Sequence, residues 1–179
     1  MADSLQQNNP YTNPDRSPMD MAWCPANYPI EKMQGNDSLK LTARIVYSRP
    51  HKKGRKIFGA DSTALCPYGK PWRLGANEAT EIVFFESVNI AGHNIDRGMY
   101  VMYCIPHEDH WTIILNSNLY TWGLHIDESK DIFKTDIPVS VQSPVVEDFT
   151  MVFTETKSGA DLLMAWDNVK AVLPITFAK

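Results

Sequence analysis

Between residues 39 and 177 the chain repeats one pattern, in which apolar and polar side chains alternate in short runs separated by turn residues. This is the two-residue period of a strand with one face buried, and a helix period is almost absent. Leu41, Ala43, Ile45 and Tyr47 fall on one face, with Lys40, Thr42 and Arg44 on the other. Ile57 and Phe58 form a short apolar plug, and Ile82, Val83, Phe84, Phe85 and Val88 predict the next strand. Residues 91–94 read as a turn leading into Ile95. From Gly98 both registers are apolar, with Met99, Val101, Tyr103 and Ile105 on one side and Tyr100, Met102 and Cys104 on the other. That strand is expected to be buried on both faces. A turn over residues 106–110 precedes the alternation of Trp111, Ile113 and Leu115. After a long connection over residues 116–131, strands are expected at 132–141, 145–155, 162–166 and 169–177. Asp167-Asn168 is expected to be the two-residue hairpin turn between the last two.

About eight to ten short strands with regularly spaced turns predict an all-β fold, an antiparallel β-sandwich or a flattened barrel. Residues 1–18 are Asn, Gln, Ser, Asp and Pro with almost nothing apolar, and are expected to form a flexible leader. Residues 19–38 are expected to be an extended strap. Trp23, Tyr28, Ile30 and Met33 can dock it, and Pro25 and Pro29 argue against a helix. Residues 39–179 then form a single domain.

Composition narrows the function classes. A net charge of −4 and a pI near 5.7 give no electrostatic reason to attract phosphate backbones, so nucleic acid is excluded as a partner. The basic run HKKGRK at 51–56 is too short to change that. No apolar run is long enough for a transmembrane helix, and the first twenty residues show no apolar signal-peptide core. Cys24, Cys66 and Cys104 are odd in number and far apart, which fits one bridge with a free thiol or three buried thiols.

Candidate chemistry gathers on the loop LCPYGKPWRLGANEAT, residues 65–80. Its closely spaced prolines and glycines force repeated turns, so its polar side chains are aimed by the scaffold. Trp72, Arg73, Asn77 and Glu78 can form a polar rim with an aromatic platform for a carboxylate, phosphate or sugar. Alternatively Arg73 and Glu78 pair with each other and Asn77 bonds the turn backbone, as a structural staple. Arg55, with Arg49 and Lys56, extends the site if the 48–59 loop lies beside it, and Trp122 on the long connection is placed nearby. His107, Glu108, Asp109 and His110 are adequate metal ligands, but no further cluster closes a coordination shell, so neither metal nor cofactor is expected. No nucleophile motif is present. Glu78 as a general acid or base would need Asp127 or His125 as its partner.

The segments YSRPHKKGRKIFG (47–59), PYGKPWRLGANEAT (67–80), WTIILN (111–116), TWG (121–123) and LLMAWDNVKAVLPI (162–175) together resemble the bacterial domain-of-unknown-function 2911 family. The resemblance implies no particular activity, and it implies a periplasmic or cell-surface location, since members are commonly exported proteins of Gram-negative bacteria. The resulting expectation is an exported, non-enzymatic binding module for a small anionic or sugar-like ligand. Its alternatives are a hydrolase of a glycan or ester using Glu78, and an assembly subunit whose strap docks on an envelope protein partner.

Overall fold

A computed structural model of the protein describes residues 15–177. Residues 1–14 of the expected leader and 178–179 of the expected domain lie outside the described residues. The chain begins with β1 (Met19–Cys24), a short helix α1 (Tyr28–Met33) and β2 (Ala43–Ser48). The two-residue strands β3 (Phe58–Gly59) and β4 (Cys66–Pro67) precede β5 (Thr80–Phe84), β6 (Val88–Ile90) and β7 (His93–Ile95). β8 (Gly98–Pro106) and β9 (His110–Asn116) form a hairpin. A single 3-10 turn, Glu128–Lys130, leads into two long strands, β10 (Asp131–Thr156) and β11 (Gly159–Phe177).

The hydrogen-bonded order is β1-β2-β5-β8-β9-β10-β11-β6-β7, and β3 and β4 pair separately. β10 belongs to two layers. Asp131 to Pro138 pairs with β9, and Val139 to Thr156 pairs with β11, with register shifts between Val141 and Thr150. The sheet therefore folds over at this strand, and the inward side chains of both halves share one core. The expected antiparallel, all-β, sandwich-like architecture is found, and the sheet does not close into a barrel. Where β10 leaves β9, its outer edge is bonded by the backbone of residues 50–52, with His51 bridging Asp148, Lys52 N–H donating to Glu147 O and Phe149 N–H donating to Pro50 O, and by side chains from β2 and the residue after it. Tyr47 Oη accepts from Met151 N–H at 2.9 Å and lies 3.3 Å from its carbonyl oxygen, while Arg49 Nε donates to Phe149 O at 3.1 Å.

Alternation was a sound guide to faces. Ala43, Ile45 and Tyr47 are buried, and Val101, Met102, Tyr103 and Cys104 are buried on both sides of β8. Three expectations need correction. The strap is not extended throughout, because Tyr28–Met33 is helical. Pro29 stands in the first helical turn, where a missing N–H costs nothing and the fixed φ suits the helix. The strands expected at 132–141 and 145–155 are one continuous strand. Asp167-Asn168 does not reverse the chain either. β11 runs through it with Asp167 kinked at φ 56°, and the hairpin lies at Lys157-Ser158, between the paired Thr156 and Gly159. A positive-φ Asp serves a bulge as readily as a turn, so the dipeptide alone does not distinguish them.

β1 pairs along its length with β2, so the start of the strap is a strand of the chain's own sheet. Residues 15–18 continue alongside, with Arg49 N–H donating to Pro18 O at 2.9 Å. Among the described residues no helix is long and apolar enough to cross a membrane. The three cysteines are buried and unbridged.

Candidate functional site

Trp72 fixes the site. Its indole is 9% exposed and sits between the layers, stacked on Trp166 at 5.7 Å and edge-on to Trp111 at 5.6 Å and Phe149 at 4.9 Å. Its backbone exchanges two hydrogen bonds with Cys104 of β8, at 2.7 and 2.9 Å. The 65–80 loop is thus anchored through its Trp, which is a core residue and not the open platform expected. Just beyond it, Leu74, Gly75 and Asn77 take φ of 54°, 155° and 58°. Left-handed backbone at non-glycine residues costs about 1–3 kcal/mol each. Here it is held by the fully buried Leu74 side chain, by Trp72 Nε1 donating to Gly75 O at 3.1 Å, and by Thr80 Oγ1 donating to Leu74 O at 2.7 Å. Gly75 is required as well, since a Cβ there would stand 2.8 Å from Ser48 O.

Against this loop lies the 117–130 connection, which covers the outer face of β8 and β9. Its base is a polar knot: Tyr103 Oη donates to Asp131 at 2.9 Å, and Asn116 Nδ2 donates to Asp131 Oδ1 at 2.7 Å and Asp127 O at 2.9 Å. Burial pushes the Tyr103 phenol pKa well up, and its bonds to Asp131 add to that, so it stays protonated. The two loops meet where Ala79 N–H donates to Thr121 O at 3.0 Å and Arg73 Nη1 donates to Trp122 O at 2.9 Å, with the guanidinium 6.0 Å from the Trp122 ring centroid.

Between them opens a cleft of about 450 Å³, with Trp72 in its floor and Arg55, Arg73, Leu65, Leu124 and Glu128 among its walls. A smaller hollow of about 200 Å³ holds Asn77, Glu78 and Trp122 with Asp15. The six expected site residues are therefore brought to one region but divided between two basins. Of the three basic residues considered, only Arg55 lines the cleft. Arg49 is tied to Asp20 at 3.0 Å, and Lys56 to Asp61 at 2.5 Å. Arg55 is held from behind, Nε donating to Lys52 O at 3.1 Å and Nη2 to His51 O.

The staple is not formed as expected. Arg73 makes no ion pair with Glu78, which is exposed, and Asn77 Nδ2 donates to Asp15 Oδ1 at 2.9 Å, not to the turn backbone. Among the described residues neither Arg55 nor Arg73 has a carboxylate partner. Partial burial lowers the Arg73 pKa, and the Glu78 charge at longer range opposes that only in part. Asp127 and His125, expected as partners for Glu78, line a separate small void beside Tyr103. His107 and His110 stack on each other at 4.4 Å, and among the described residues no three His, Cys, Asp or Glu side chains gather into a metal set. Cys66 also lines the cleft, and burial pushes its thiol pKa far up, away from the thiolate form that a nucleophile needs.

Sequence reasoning missed Leu65, Leu124, Ile126 and Glu128 as lining residues. A signal existed in Tyr120, Trp122 and Leu124, apolar side chains at every second position of a polar loop, which are 83%, 53% and 65% exposed. No curated protein and no solved structure matches the chain. A family model described as "Protein of unknown function (DUF2911)" matches residues 29–175, most of the chain, and the protein belongs to that family.

Proposed function

We propose that the protein is a non-catalytic binding module that holds a small anionic or sugar-like ligand in the cleft between the 65–80 and 117–130 loops. The observation that carries this is the pair Arg55 and Arg73, two guanidiniums on one concave surface without a carboxylate partner among the described residues. Arg55 is exposed and Arg73 is partly buried, and a partly desolvated cation without an ion-paired carboxylate is costly, so an anion seated beside Arg73 offsets the cost. The cleft volume falls within the roughly 300–1,000 Å³ of small-molecule sites. An envelope location accompanies this reading, supported by the exported members of the family. Fractionation of the native host tests it, and recovery in the cytoplasm alone would refute it.

A thermal-shift panel of carboxylates, phosphates and sugars tests the binding reading. A true ligand at about 100 times its Kd stabilises by about 2.7 kcal/mol, several degrees in Tm. Arg55→Gln and Arg73→Gln together should abolish the shift. A shift that survives both substitutions would place the ligand elsewhere.

One observation supports a second reading, a glycan or ester hydrolase. Glu78 is exposed in a hollow that also holds Asp15, so two carboxylates share one basin. Turnover of p-nitrophenyl glycosides or esters that disappears in Glu78→Gln would favour it over simple binding.

A further inference from the structure

The chemistry of the cleft walls separates the two ligand classes. Beside the two arginines and Glu128, the exposed large side chains lining the cleft are aliphatic: Leu65 and Leu124 are 46% and 65% exposed, and the half-buried Ile126 lies with them. A single exposed aliphatic residue needs no explanation. These flank one opening and arrive on two loops distant in sequence, so a body laid between them would cover both at once. The groups that read sugar hydroxyls are scarce here. Among the described lining residues Ser17 is the one hydroxyl-bearing side chain, no side-chain amide is present, and Asn77 faces the neighbouring hollow. At the floor the cleft meets the edge of the core, where Trp72, 9% exposed, stacks on the buried Trp166.

We infer that the cleft takes an amphipathic monocarboxylate, its anionic head on Arg55 and Arg73 and a flat or branched hydrocarbon body between Leu65 and Leu124 above Trp72. This rests on the binding reading above and narrows it to one ligand class. A single negative charge suits the site because the Glu128 carboxylate also lines the cleft, unpaired with either arginine, and lowers its net positive charge. A compact dianion such as phosphate would gain less from the pair, meet repulsion from Glu128, and leave the aliphatic walls wet.

The test is calorimetric titration of the full chain with four probes: phenylacetate, 2-phenylethanol, inorganic phosphate and N-acetylglucosamine. Phenylacetate should saturate, with the other three at least about tenfold weaker, since a charge-assisted hydrogen bond is worth about a factor of ten or more in Kd. Arg73→Gln should weaken phenylacetate about tenfold. Leu124→Ser, at an exposed position that folding does not depend on, should weaken it about threefold or more and leave phosphate unchanged. The Leu124 variant keeps the test decisive if Arg73→Gln disturbs the loop. Phosphate or N-acetylglucosamine binding as tightly as phenylacetate, with the same loss in Arg73→Gln, overturns the monocarboxylate and leaves the binding reading standing. Phenylacetate binding that neither substitution weakens overturns the assignment to this cleft. Silence from all four probes to about 10 mM overturns the inference, and the thermal-shift panel then decides whether the binding reading falls with it.

Discussion

The 65–80 loop and the 117–130 connection face each other across the cleft and are fastened in opposite ways. The first is held by apolar burial. Trp72 enters the aromatic centre of the sandwich, and Leu74 is fully buried behind it. The second exposes Tyr120, Trp122 and Leu124 and is held by hydrogen bonds that its carbonyls accept from outside: Thr121 O from Ala79 N–H, Trp122 O from Arg73 and Asp127 O from Asn116. Apolar anchoring ties a wall to the global stability of the domain, whereas a wall held by partly exposed polar bonds opens locally at lower cost. A site with one fixed wall and one yielding wall can keep its cation geometry while adjusting its apolar rim. Arg55 stands on a third, well-tied loop, where Lys52 pairs with Asp167 at 2.7 Å and Lys52 N–H donates to Glu147 O at 2.7 Å.

The largest effect should come from removing the apolar anchor. Trp72→Ala is expected to cost about 3–5 kcal/mol, or about 10 °C in Tm, by thermal unfolding followed by circular dichroism. A loss of less than about 1 kcal/mol would contradict core anchoring of that wall. Asn116→Ala should cost less, about 1–3 kcal/mol, and differently. Asn116 is 2% exposed, donates to Asp127 O and Asp131 Oδ1, and accepts from Asn118 N–H at 2.8 Å. Hydrogen exchange should accelerate over residues 117–130 and hold steady over 71–76. Uniform acceleration across both loops would erase the contrast between them.

The same contrast explains what the sequence made legible. Strand faces were readable because burial imposes a period of two, and the arginines and tryptophans of the loops could be nominated by type. Trp72 was misjudged because loop position was weighted over size, and an indole is large enough to be drawn into a core from any backbone. The division of Asn77 and Glu78 from Arg55 and Arg73 follows from where the 117–130 connection crosses, a tertiary choice that no local pattern encodes. Leu65 and Leu124 were passed over because an aliphatic side chain carries no chemistry until its neighbours are known.

Gly123 is where the two walls touch, and Gly123→Ala sharpens the comparison with a smaller cost of about 1 kcal/mol. Its φ is +75°, and an added Cβ would lie 3.0 Å from Arg73 Cβ and 3.2 Å from Ala79 Cβ. The yielding wall should move, so faster exchange of the Ala79 amide, bonded to Thr121 O, is the expected readout. An unchanged Ala79 amide would mean that the loops are not in contact there.

The smallest effect is ionic and confined to the yielding wall. Asp127 caps the 3-10 turn, with Oδ1 accepting from Ser129 Oγ at 2.5 Å and from Ser129 N–H at 3.2 Å. The Ser129 hydroxyl bond first, then its amide and the Lys130 charge, hold the Asp127 carboxyl below an aspartate's ordinary 3.8. A carboxyl with a folded pKa below its unfolded one stabilises fully above the unfolded value, and that contribution is lost as pH falls through the folded value. Titrated from about pH 6 to about pH 2.5, the Ser129 amide resonance should therefore shift with a midpoint below 3.8. In Asp127→Asn the side chain keeps an acceptor but has no proton to gain, so that shift should vanish while the turn persists. The Leu74 amide, on the core-anchored wall, should stay flat over the same range. A Ser129 midpoint at or above 3.8 would show that the carboxylate does not hold this turn, and the local weakness of the second wall would then need another source.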